Sequence, residues 1–545
     1  MGVTRRQFAA LAGAALGGCS GLPGWIGGSP ARFGASWESL ASNYRAPEWF
    51  RDAKLGIWAH WSAQCQPEQG DWYARRMYIQ GERQYDHHLR TYGHPSQSGF
   101  MEIDNLWKAE RWDPEALMQR YVATGAKYFV ALANHHDNFD NYNSRHHAWN
   151  SVNVGPKKDI IGTWARVARN HGLRFGVTNH SAHAWHWFQV AYGYDAEGPL
   201  AGARYDAYRL KRSDGVGKWW EGLDPQELYC GPSLVVPDGI KSVADMNTWH
   251  KDHDRVWNEN PPTQNPEFVR RWTLRCLDLL DSYRPDLIYF DNEGLPLGQA
   301  GLDVAAHYYN ANMAWNGGKL EAVINGKKLP AEHRGAIVED VERGLRDDIV
   351  PTPWQTDTCI GDWHYDRAIY NEHRYKTVSW VVQALCDIVS KNGNLLLNIP
   401  LRGDGTIDSD EERFLDGLSA WTKINGEAIF ATRPWKIYGE GPPHVMGSGF
   451  NEKNQKFTSA DIRFTQKSGV LYALVLGWPE SGRVQIASLA EGAQHAQGAI
   501  GQVELLGSPG ALTFRRDATG LLVTLPENRS GDSAYALKIR GTGLV

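Results

Sequence analysis

The sequence predicts an α/β protein, a (β/α)8-like TIM barrel as the catalytic domain, followed by a C-terminal antiparallel β-sandwich. Short apolar runs alternate with amphipathic stretches from residue 45 to about residue 430, which is typical of a parallel sheet covered by helices. The number of these units favours closure into a barrel over an open sheet. After about residue 436 the chain consists of short strands and turns without helical periodicity, which indicates a sandwich.

The N-terminal segment 1–30 is predicted to be an export signal and not part of the fold. Arg5 and Arg6 precede an apolar stretch too short to span a bilayer, and together with Phe8 they resemble a twin-arginine signal. Leu16–Cys19 resembles a lipoprotein cleavage box, in which Cys19 would carry a lipid anchor. The alternative is a plain signal peptide with an incidental cysteine. Either route predicts an exported bacterial protein, located in the periplasm, in the outer membrane or outside the cell.

The barrel domain is predicted over residues 31–435. Its buried strands are expected in the short apolar runs 54–61, 126–134, 173–180, 286–292, 321–326 and 394–400. Helices are expected at 265–283, 375–393 and 408–426, because apolar residues recur there at steps of three and four. The last two of these segments end on Asn-Gly, which is a helix stop signal.

Two regions depart from the alternation of strands and helices. Residues 181–262 are rich in Trp, Tyr, Gly and Pro and only weakly periodic, so they are predicted to form a long loop insertion of the barrel. Residues 433–443 are the predicted junction between the domains, and 436–545 the predicted sandwich.

Composition excludes some functions and favours others. The net charge is −5 and no long basic run occurs, so nucleic acid is not an expected partner. The aromatic share is 12%, with 24 Trp, and such rings suit stacking on the C–H faces of sugars. The 6 cysteines show no C-x-x-C pair, which argues against a disulfide framework or a zinc knuckle.

Polar, titratable residues recur where the predicted barrel strands end. His60, the pair His135 and His136, the pair Asn179 and His180, and Asp291 each follow an apolar run. Because the carboxyl ends of barrel strands face the active site, these side chains are expected to meet there.

The stretch "ALANHHDNFDNYNS" (131–144) is compatible with a metal site or with sugar binding. Adjacent side chains of a strand point to opposite faces, so His135 and His136 would not chelate one ion unless the strand has already ended. Neutral imidazoles can donate and accept hydrogen bonds from sugar hydroxyls, and Trp72 offers an apolar wall. Sugar binding is therefore favoured, and no metal is predicted.

Glycoside cleavage usually needs two carboxyl groups. Asp291 ends the very apolar run "DLIYFD", and an isolated buried carboxylate there would be costly without a polar site around it. The later run "GAIVEDVERG" offers Glu339, Asp340 and Glu342 as the second carboxyl group.

Four stretches resemble glycoside hydrolase family 29, the retaining α-L-fucosidases. They are "LGIWAHWSAQC" with "GDWYARRM", the paired-histidine segment 126–162, "YRPDLIYFDNEG", and 390–435. These stretches follow the order and spacing of the family over most of residues 45–436.

The resemblance implies an exo-acting enzyme that releases L-fucose from fucosylated oligosaccharides or polysaccharides by double displacement. It implies Asp291 as the nucleophile and Glu342 as the acid/base, with Glu339 in reserve, and no cofactor. The residues implied to bind the sugar are His60, Trp72, His135 and His136, and the corresponding strand ends add Asn179, His180 and Tyr289.

This chain departs from the family pattern at several positions, and these departures bear on the substrate. Tyr289 stands where many relatives have Trp, and Thr178–His180 replaces the usual Tyr. The binding Arg that the family has near "VINGKK" is not evident here, and Lys327 or Lys328 is only a weak substitute for it. An α-L-galactosidase remains an alternative, because a hydrophobic pocket rejects an added hydroxyl only about 100-fold. A catalytically inactive sugar-binding protein is the alternative from another class.

Overall fold

The computed structural model describes residues 32–255, 265–442, 450–529, 531 and 533–545. Eight parallel strands form a closed barrel in chain order, and the last strand pairs with the first. They are β1 (Leu55–Ala59), β2 (Tyr128–Asn134), β3 (Arg174–Asn179), β4 (Leu287–Glu293), β5 (Val323–Lys327), β6 (Val338–Asp340), β7 (Trp354–Cys359) and β8 (Gly393–Asn398). The predicted TIM barrel is confirmed.

Two barrel strands, β6 and β7, are absent from the predicted set. β6 has only three residues, and β7 (sequence WQTDTC) carries polar side chains that mask its burial. Gln355 and Asp357 of β7 are buried because each has a partner inside the barrel. Gln355 Nε2 donates to Asp340 at 2.9 Å, and Asp357 accepts from Tyr289 at 2.9 Å. Polar pairing inside the barrel, which apolar patterning cannot reveal, explains the omission.

The helices of the described residues surround the barrel or lie in its loops. They are α1 (Trp37–Asn43), α2 (Glu48–Ala53), α3 (Tyr73–Arg76), α4 (Arg83–Thr91), α5 (Phe100–Leu106), α6 (Pro114–Ala123), α7 (Ile160–Asn170), α8 (Ala184–Trp187), α9 (Asp206–Arg209), α10 (Pro225–Leu228), α11 (Val243–His253), α12 (Pro266–Tyr283), α13 (Gln299–Trp315), α14 (Arg367–Asn371), α15 (Val378–Ser390) and α16 (Ser409–Asn425). The three predicted helices correspond to α12, α15 and α16. In α16, Asp408 and Glu411 form a capping box that fixes its start.

The described part of the predicted insertion, residues 181–255, contains the short helices α8 to α11 and little other regular structure. A buried ion pair fastens this insertion to the barrel. Arg75 of α3 contacts Asp254 at 2.5 Å, and His250 also contacts Asp254, at 2.7 Å. The insertion is therefore a packed cover over the α3 side of the barrel mouth.

The C-terminal region forms two antiparallel sheets around their own hydrophobic core, which confirms the predicted C-terminal fold. Its strands are β9 (Arg433–Glu440), β10 (Ile462–Lys467), β11 (Val470–Val475), β12 (Arg483–Ile486), β13 (Ile500–Leu505), β14 (Phe514–Asp517), β15 (Gly520–Thr524) and β16 (Tyr535–Gly541). Most of the stretch predicted as the junction is itself the edge strand β9 of the five-stranded sheet. The C-terminal domain therefore packs directly on the barrel.

A buried ionic cluster lies between the two domains. Asp387 of α15 accepts from Arg463 of β10 at 2.6 Å and from Lys391 at 2.8 Å. Nearby, Trp421 of α16 donates its ring N–H to the Ala534 carbonyl at 2.7 Å. These contacts join the barrel helices to the five-stranded sheet.

The predicted export signal 1–30, with Cys19, lies outside the described residues. The other five cysteines are buried and free. Over the parts of the chain that the structure describes, no helix has the length and apolar character needed to cross a membrane.

Candidate active site

A cavity of about 390 Å³ opens at the carboxyl ends of the barrel strands. This is the end at which barrel enzymes place their active sites. Its lining residues are Trp58, His60, Asp71, Trp72, His135, His136, His180, Tyr289, Asp291, Asn292, Glu293, Lys327, Lys328, Glu342, Asp357, Trp363 and Phe450. Aromatic rings, imidazoles and carboxylates thus converge on one space.

Asp291 lies near the end of β4 and has three nitrogen neighbours. Its Oδ1 contacts the ammonium of Lys327, and its Oδ2 lies 3.1 Å from His180 Nδ1 and 3.3 Å from His136 Nε2. Lys327 ends β5, the neighbouring strand, which brings its side chain to the same rim. The carboxylate is therefore held by donors on both oxygens.

Close packing between β4 and β5 fixes the position of Lys327. The backbone N–H of Gly294 donates to the Lys327 carbonyl at 2.8 Å. A Cβ at Gly326 would lie 2.5 Å from the Gly294 carbonyl oxygen, so only glycine lets the two segments come this close.

Glu342 follows β6 and contacts the same ammonium of Lys327 through Oε2. One cation therefore bridges the two carboxylates that the sequence singles out. Their side chains are 14% exposed for Asp291 and 19% for Glu342, so both face the cavity.

The two carboxyl groups differ in their affinity for a proton. Burial by itself raises the pKa of Asp291, but Lys327 and His180 outweigh it and hold that pKa well below its usual range. Burial raises the pKa of Glu342 to about 7; Lys327 opposes this shift, and the charges of Asp357 and Asp291 add to it. Asp291 is thus ionised at neutral pH, and Glu342 is poised to give and take a proton.

The histidines of the cavity form a cluster of neighbouring rings. β2 ends at Asn134, so His135 and His136 lie in the following turn and both reach the cavity, with ring centroids 4.4 Å apart. The exception allowed from the sequence, a strand that has already ended, is therefore the case here. His60 lies 5.1 Å from His135 and 5.1 Å from His180 between ring centroids.

His60 has no partner for either ring nitrogen among the described residues, although it is buried. Burial lowers its pKa well below the usual range, and the neighbouring His364 and His180 lower it further. Burial likewise lowers the pKa of His135 well below its usual range and that of His180 to about 4. A neutral, unpaired imidazole at a cavity wall suits hydroxyl groups of a ligand.

Aromatic side chains line the cavity beside the histidines. Trp72 caps α3 with a left-handed φ of 63° and meets His136 edge to face, with 6.2 Å between centroids. The ring centroid of Trp58 lies 5.5 Å from that of Tyr289 and 5.2 Å from that of Trp363. These rings offer flat apolar faces to a sugar.

Two predicted site residues lie elsewhere. Asn179 is fully buried, accepts from Trp272 at 3.3 Å and donates to Cys276 Sγ at 3.4 Å, so it supports β3 and does not line the cavity. Glu339 is also absent from the lining and pairs with Arg346 at 2.7 Å. The geometry therefore favours Glu342 over Glu339 as the second carboxyl group.

Several cavity residues are absent from the predicted set. Trp58 sits inside β1, and Asp357 lies in the unpredicted β7. Asp71 and Trp363 come from loops, and His364, which does not line the cavity, joins Asp71 at 2.7 Å and Ser62 at 3.0 Å.

Some of these side chains also satisfy the geometry of a metal site. Ligand atoms lie within 4.8 Å of one another in two groups, namely His60, Asp71, His135 and His364, and His135, His136 and His180. His136 and His180 already contact Asp291, and His60 and His135 line the cavity. A chelator experiment separates the two uses.

Comparison with known families gives a match over most of the chain. The family described as Alpha-L-fucosidase matches residues 27–427, and the Alpha-L-fucosidase C-terminal domain matches residues 454–540.

Individual relatives span nearly the whole chain. Tissue alpha-L-fucosidase of Mus musculus is 26% identical over 92% of this chain and 92% of its own. Plasma alpha-L-fucosidase of Homo sapiens is 25% identical over 92% and 90%. The crystal structure of Thermotoga maritima alpha-fucosidase in complex with fucose has a TM-score of 0.65 at 23% identity, covering 93% of this chain and 100% of that one, and shows the shared fold.

These relatives correct one prediction. The curated matches from mouse, rat and human contradict the predicted localisation as an exported bacterial protein. The segment on which that prediction rested lies outside the described residues.

Proposed function

The chain belongs to the alpha-L-fucosidase family and is an α-L-fucosidase, a glycoside hydrolase, and on this premise we propose that it works by double displacement through a covalent fucosyl-enzyme. In this proposal Asp291 is the nucleophile and Glu342 is the acid/base. The substrate is a glycan with a terminal L-fucose.

The observation that carries this proposal is the single ammonium of Lys327 between the two carboxylates. Two oxygens that contact one nitrogen by ordinary hydrogen bonds lie at most roughly 6 Å apart. Retaining glycosidases space their carboxyl groups at about 5–5.5 Å, whereas inverting enzymes need about 6.5–9.5 Å to admit a water. The spacing of Asp291 and Glu342 therefore supports retention.

In the first step, Asp291 attacks the anomeric carbon of fucose while Glu342 donates its proton to the glycosidic oxygen. The glycosidic bond breaks, the leaving alcohol departs, and an ester joins Asp291 to the sugar. The low pKa of Asp291 keeps the nucleophile ionised, and the pKa of about 7 for Glu342 keeps a proton available.

In the second step, Glu342 is a carboxylate and removes a proton from a water that attacks the same carbon. The ester bond breaks, α-L-fucose leaves, and both carboxyl groups return to their starting states. The ammonium of Lys327 has to yield part of the space between the carboxylates when the sugar binds, and it then stabilises their negative charge.

We assign recognition of the sugar to the histidine cluster and the aromatic wall. His60 and His135 are neutral and offer donors and acceptors for hydroxyl groups, while Trp72 and Tyr289 supply apolar surface. His136 and His180 orient the nucleophile and face the same cavity.

The direct test is hydrolysis of an aryl α-L-fucoside by the wild-type protein and by Asp291→Ala. We expect turnover in the wild type and a loss of roughly 10⁴-fold or more in the variant, because no group remains to form the ester. A folded Asp291→Ala protein with substantial turnover would remove Asp291 as the nucleophile. Asp281→Ala, which removes an exposed carboxylate of α12 that pairs with His307 and does not line the cavity, is the matched control.

A further inference from the structure

The C-terminal domain reaches the active site through segment Phe450–Gln455, which lies against the loop that carries Glu342. The backbone N–H of Phe450 donates to the Glu342 carbonyl at 3.0 Å, and that of Glu452 donates to the Arg343 carbonyl at 3.0 Å. Asn451 accepts from the Leu345 N–H at 2.9 Å and donates to the Leu345 carbonyl at 3.3 Å. Four hydrogen bonds thus fasten one domain to the acid/base loop of the other.

A buried carboxylate strengthens this connection. The Glu452 side chain is 9% exposed and receives Arg343 Nε at 2.7 Å and Lys376 Nζ at 2.8 Å. Its second oxygen accepts from Thr358 Oγ1 of β7 at 2.5 Å. Such a network, with its donors on barrel residues, fixes a loop more firmly than surface contacts do.

The backbone is unusual at both ends of the contact. Arg343 has a φ of 47° and Phe450 a φ of 48°, a region that residues other than glycine rarely adopt. Strained positions of this kind persist where the surroundings determine them, and they concentrate at functional sites. Here the surroundings are the hydrogen bonds between Phe450–Glu452 and Glu342–Arg343.

Phe450 itself faces the cavity. It is 61% exposed and lines the same cavity as Glu342 and Lys328. An acid that protonates the leaving oxygen must touch the leaving group, so the group bonded to fucose has to lie next to Phe450. A large exposed ring at that place offers a stacking face to a second sugar.

We propose that segment Phe450–Gln455 belongs to the active site, with Glu452 as a positioning residue for Glu342 and Phe450 as one wall of a subsite for a pyranose leaving group. The proposal rests on the assignment of Glu342 as the acid/base. It places leaving-group recognition and acid catalysis on one contact between the two domains.

The positioning role is tested with Glu452→Gln on substrates that differ in their need for a proton. We expect kcat/KM to fall about tenfold or more for an alkyl or sugar α-L-fucoside and to stay within about twofold of wild type for α-L-fucosyl fluoride, whose leaving group needs little protonation. The control is Glu427→Gln, which breaks an ion pair with Lys538 between the same domains away from the cavity. Glu427→Gln should leave kcat/KM unchanged for both substrates.

An equal loss of kcat/KM on both substrates would mean that Glu452 is only a structural residue. No loss on either substrate would mean that Glu452 does not position Glu342. Either result would overturn the proposal. If Glu452→Gln does not fold, Arg343→Gln removes the same ion pair from the barrel side and must show the same selectivity. Glu342→Ala is measured in parallel. If Glu342→Ala itself shows no preference for the fluoride, the proposed function fails; if only the Glu452 variant lacks it, this inference alone fails.

The subsite is tested with Phe450→Ala on a fucosylated disaccharide and on the fluoride. We expect KM for the disaccharide to rise several-fold while kcat changes little. We expect no change in KM for α-L-fucosyl fluoride, because its leaving group has no ring that could stack on Phe450. Phe450→Tyr keeps the ring and should retain wild-type KM. An unchanged KM in Phe450→Ala would place the leaving group elsewhere.

Discussion

At the scale of single residues, Asp291 and Glu342 show how one cation and its neighbours separate two carboxyl groups. Both contact Lys327, yet two imidazoles also reach Asp291, whereas Glu342 faces the charge of Asp357. The pKa of Asp291 therefore falls despite its burial, whereas burial, with the charge of Asp357 added to it, raises the pKa of Glu342. This divergence is what a nucleophile and a proton donor require.

Replacement of Glu342 by Ala tests the acid/base assignment. We expect kcat/KM for a poor leaving group to fall by about 10²–10⁴-fold, because proton transfer to the leaving oxygen is lost. With an activated aryl fucoside, azide should restore turnover by attacking the fucosyl-enzyme in the vacated space. Glu339→Ala is the matched control, and rescue by azide there would transfer the role to Glu339.

The pH dependence of kcat/KM follows from the two pKa values. Glu342 must be protonated to act as an acid, so kcat/KM should fall as pH rises through about 7. Asp291 has a pKa well below its usual range and stays ionised, so its limb should appear only in strong acid. Lys327→Met removes the charge that lowers the pKa of Glu342 and should move the basic limb to higher pH. A basic limb unchanged in that variant would contradict the electrostatic account.

Sequence reasoning identified site residues that follow apolar strands. It missed residues whose position depends on pairing with another strand or side chain. Asp291 and His60 stand at strand ends, where periodicity alone predicts an active site. The bridging position of Lys327 depends on the register of β4 and β5, which no single stretch of sequence encodes. Asn179 also ends a strand, but its side chain bonds to α12 instead of the cavity.

At the scale of elements, α12 holds the histidine turn in place. Arg275 of α12 donates to Asp140 at 2.6 and 3.0 Å and to the Asn138 side chain at 2.5 Å. Asp140 also accepts from Asn134, whose carbonyl oxygen Oδ1 accepts from the backbone N–H of His180 at 3.2 Å. Removal of this arginine should therefore disturb the ends of both β2 and β3.

We expect Arg275→Met to lower the free energy of unfolding by about 3–5 kcal/mol, because it leaves the buried Asp140 carboxylate without its cation. The side chains of Arg275 and Asp140 are 4% and 0% exposed. Urea denaturation followed by tryptophan fluorescence measures the loss. Arg270→Met on the same helix breaks a pair with Glu267 whose side chains are 60% and 50% exposed, and it should lower the free energy of unfolding far less. Equal losses in the two variants would contradict the structural role of Arg275.

Long periodic elements were predictable, and short or polar ones were not. α12, α15 and α16 carry clear apolar faces, and α16 also carries a capping signal. β6 spans three residues, too few for a period to show. β7 also buries polar side chains, which pair inside the barrel by hydrogen bonds, so its sequence is typical of a loop.

At the scale of the whole molecule, the barrel positions Asp291, the proposed nucleophile, and the C-terminal domain contacts the loop that carries Glu342, the proposed acid/base. The buried cluster around Asp387 and the contacts of Glu452 join the domains at two places. The architecture was predictable from the change in periodicity near residue 436. The contact between domains was not, because segment Phe450–Gln455 has no helical or strand pattern that points to the cavity.

The stereochemistry of the first product tests the central claim most directly. Hydrolysis of an aryl α-L-fucoside, followed by proton NMR before the anomers equilibrate, identifies the sugar that leaves the enzyme first. The short spacing of Asp291 and Glu342 on Lys327 predicts α-L-fucose, which is the product of two successive inversions. Initial release of β-L-fucose would mean a single displacement by water and would contradict Asp291 as a covalent nucleophile.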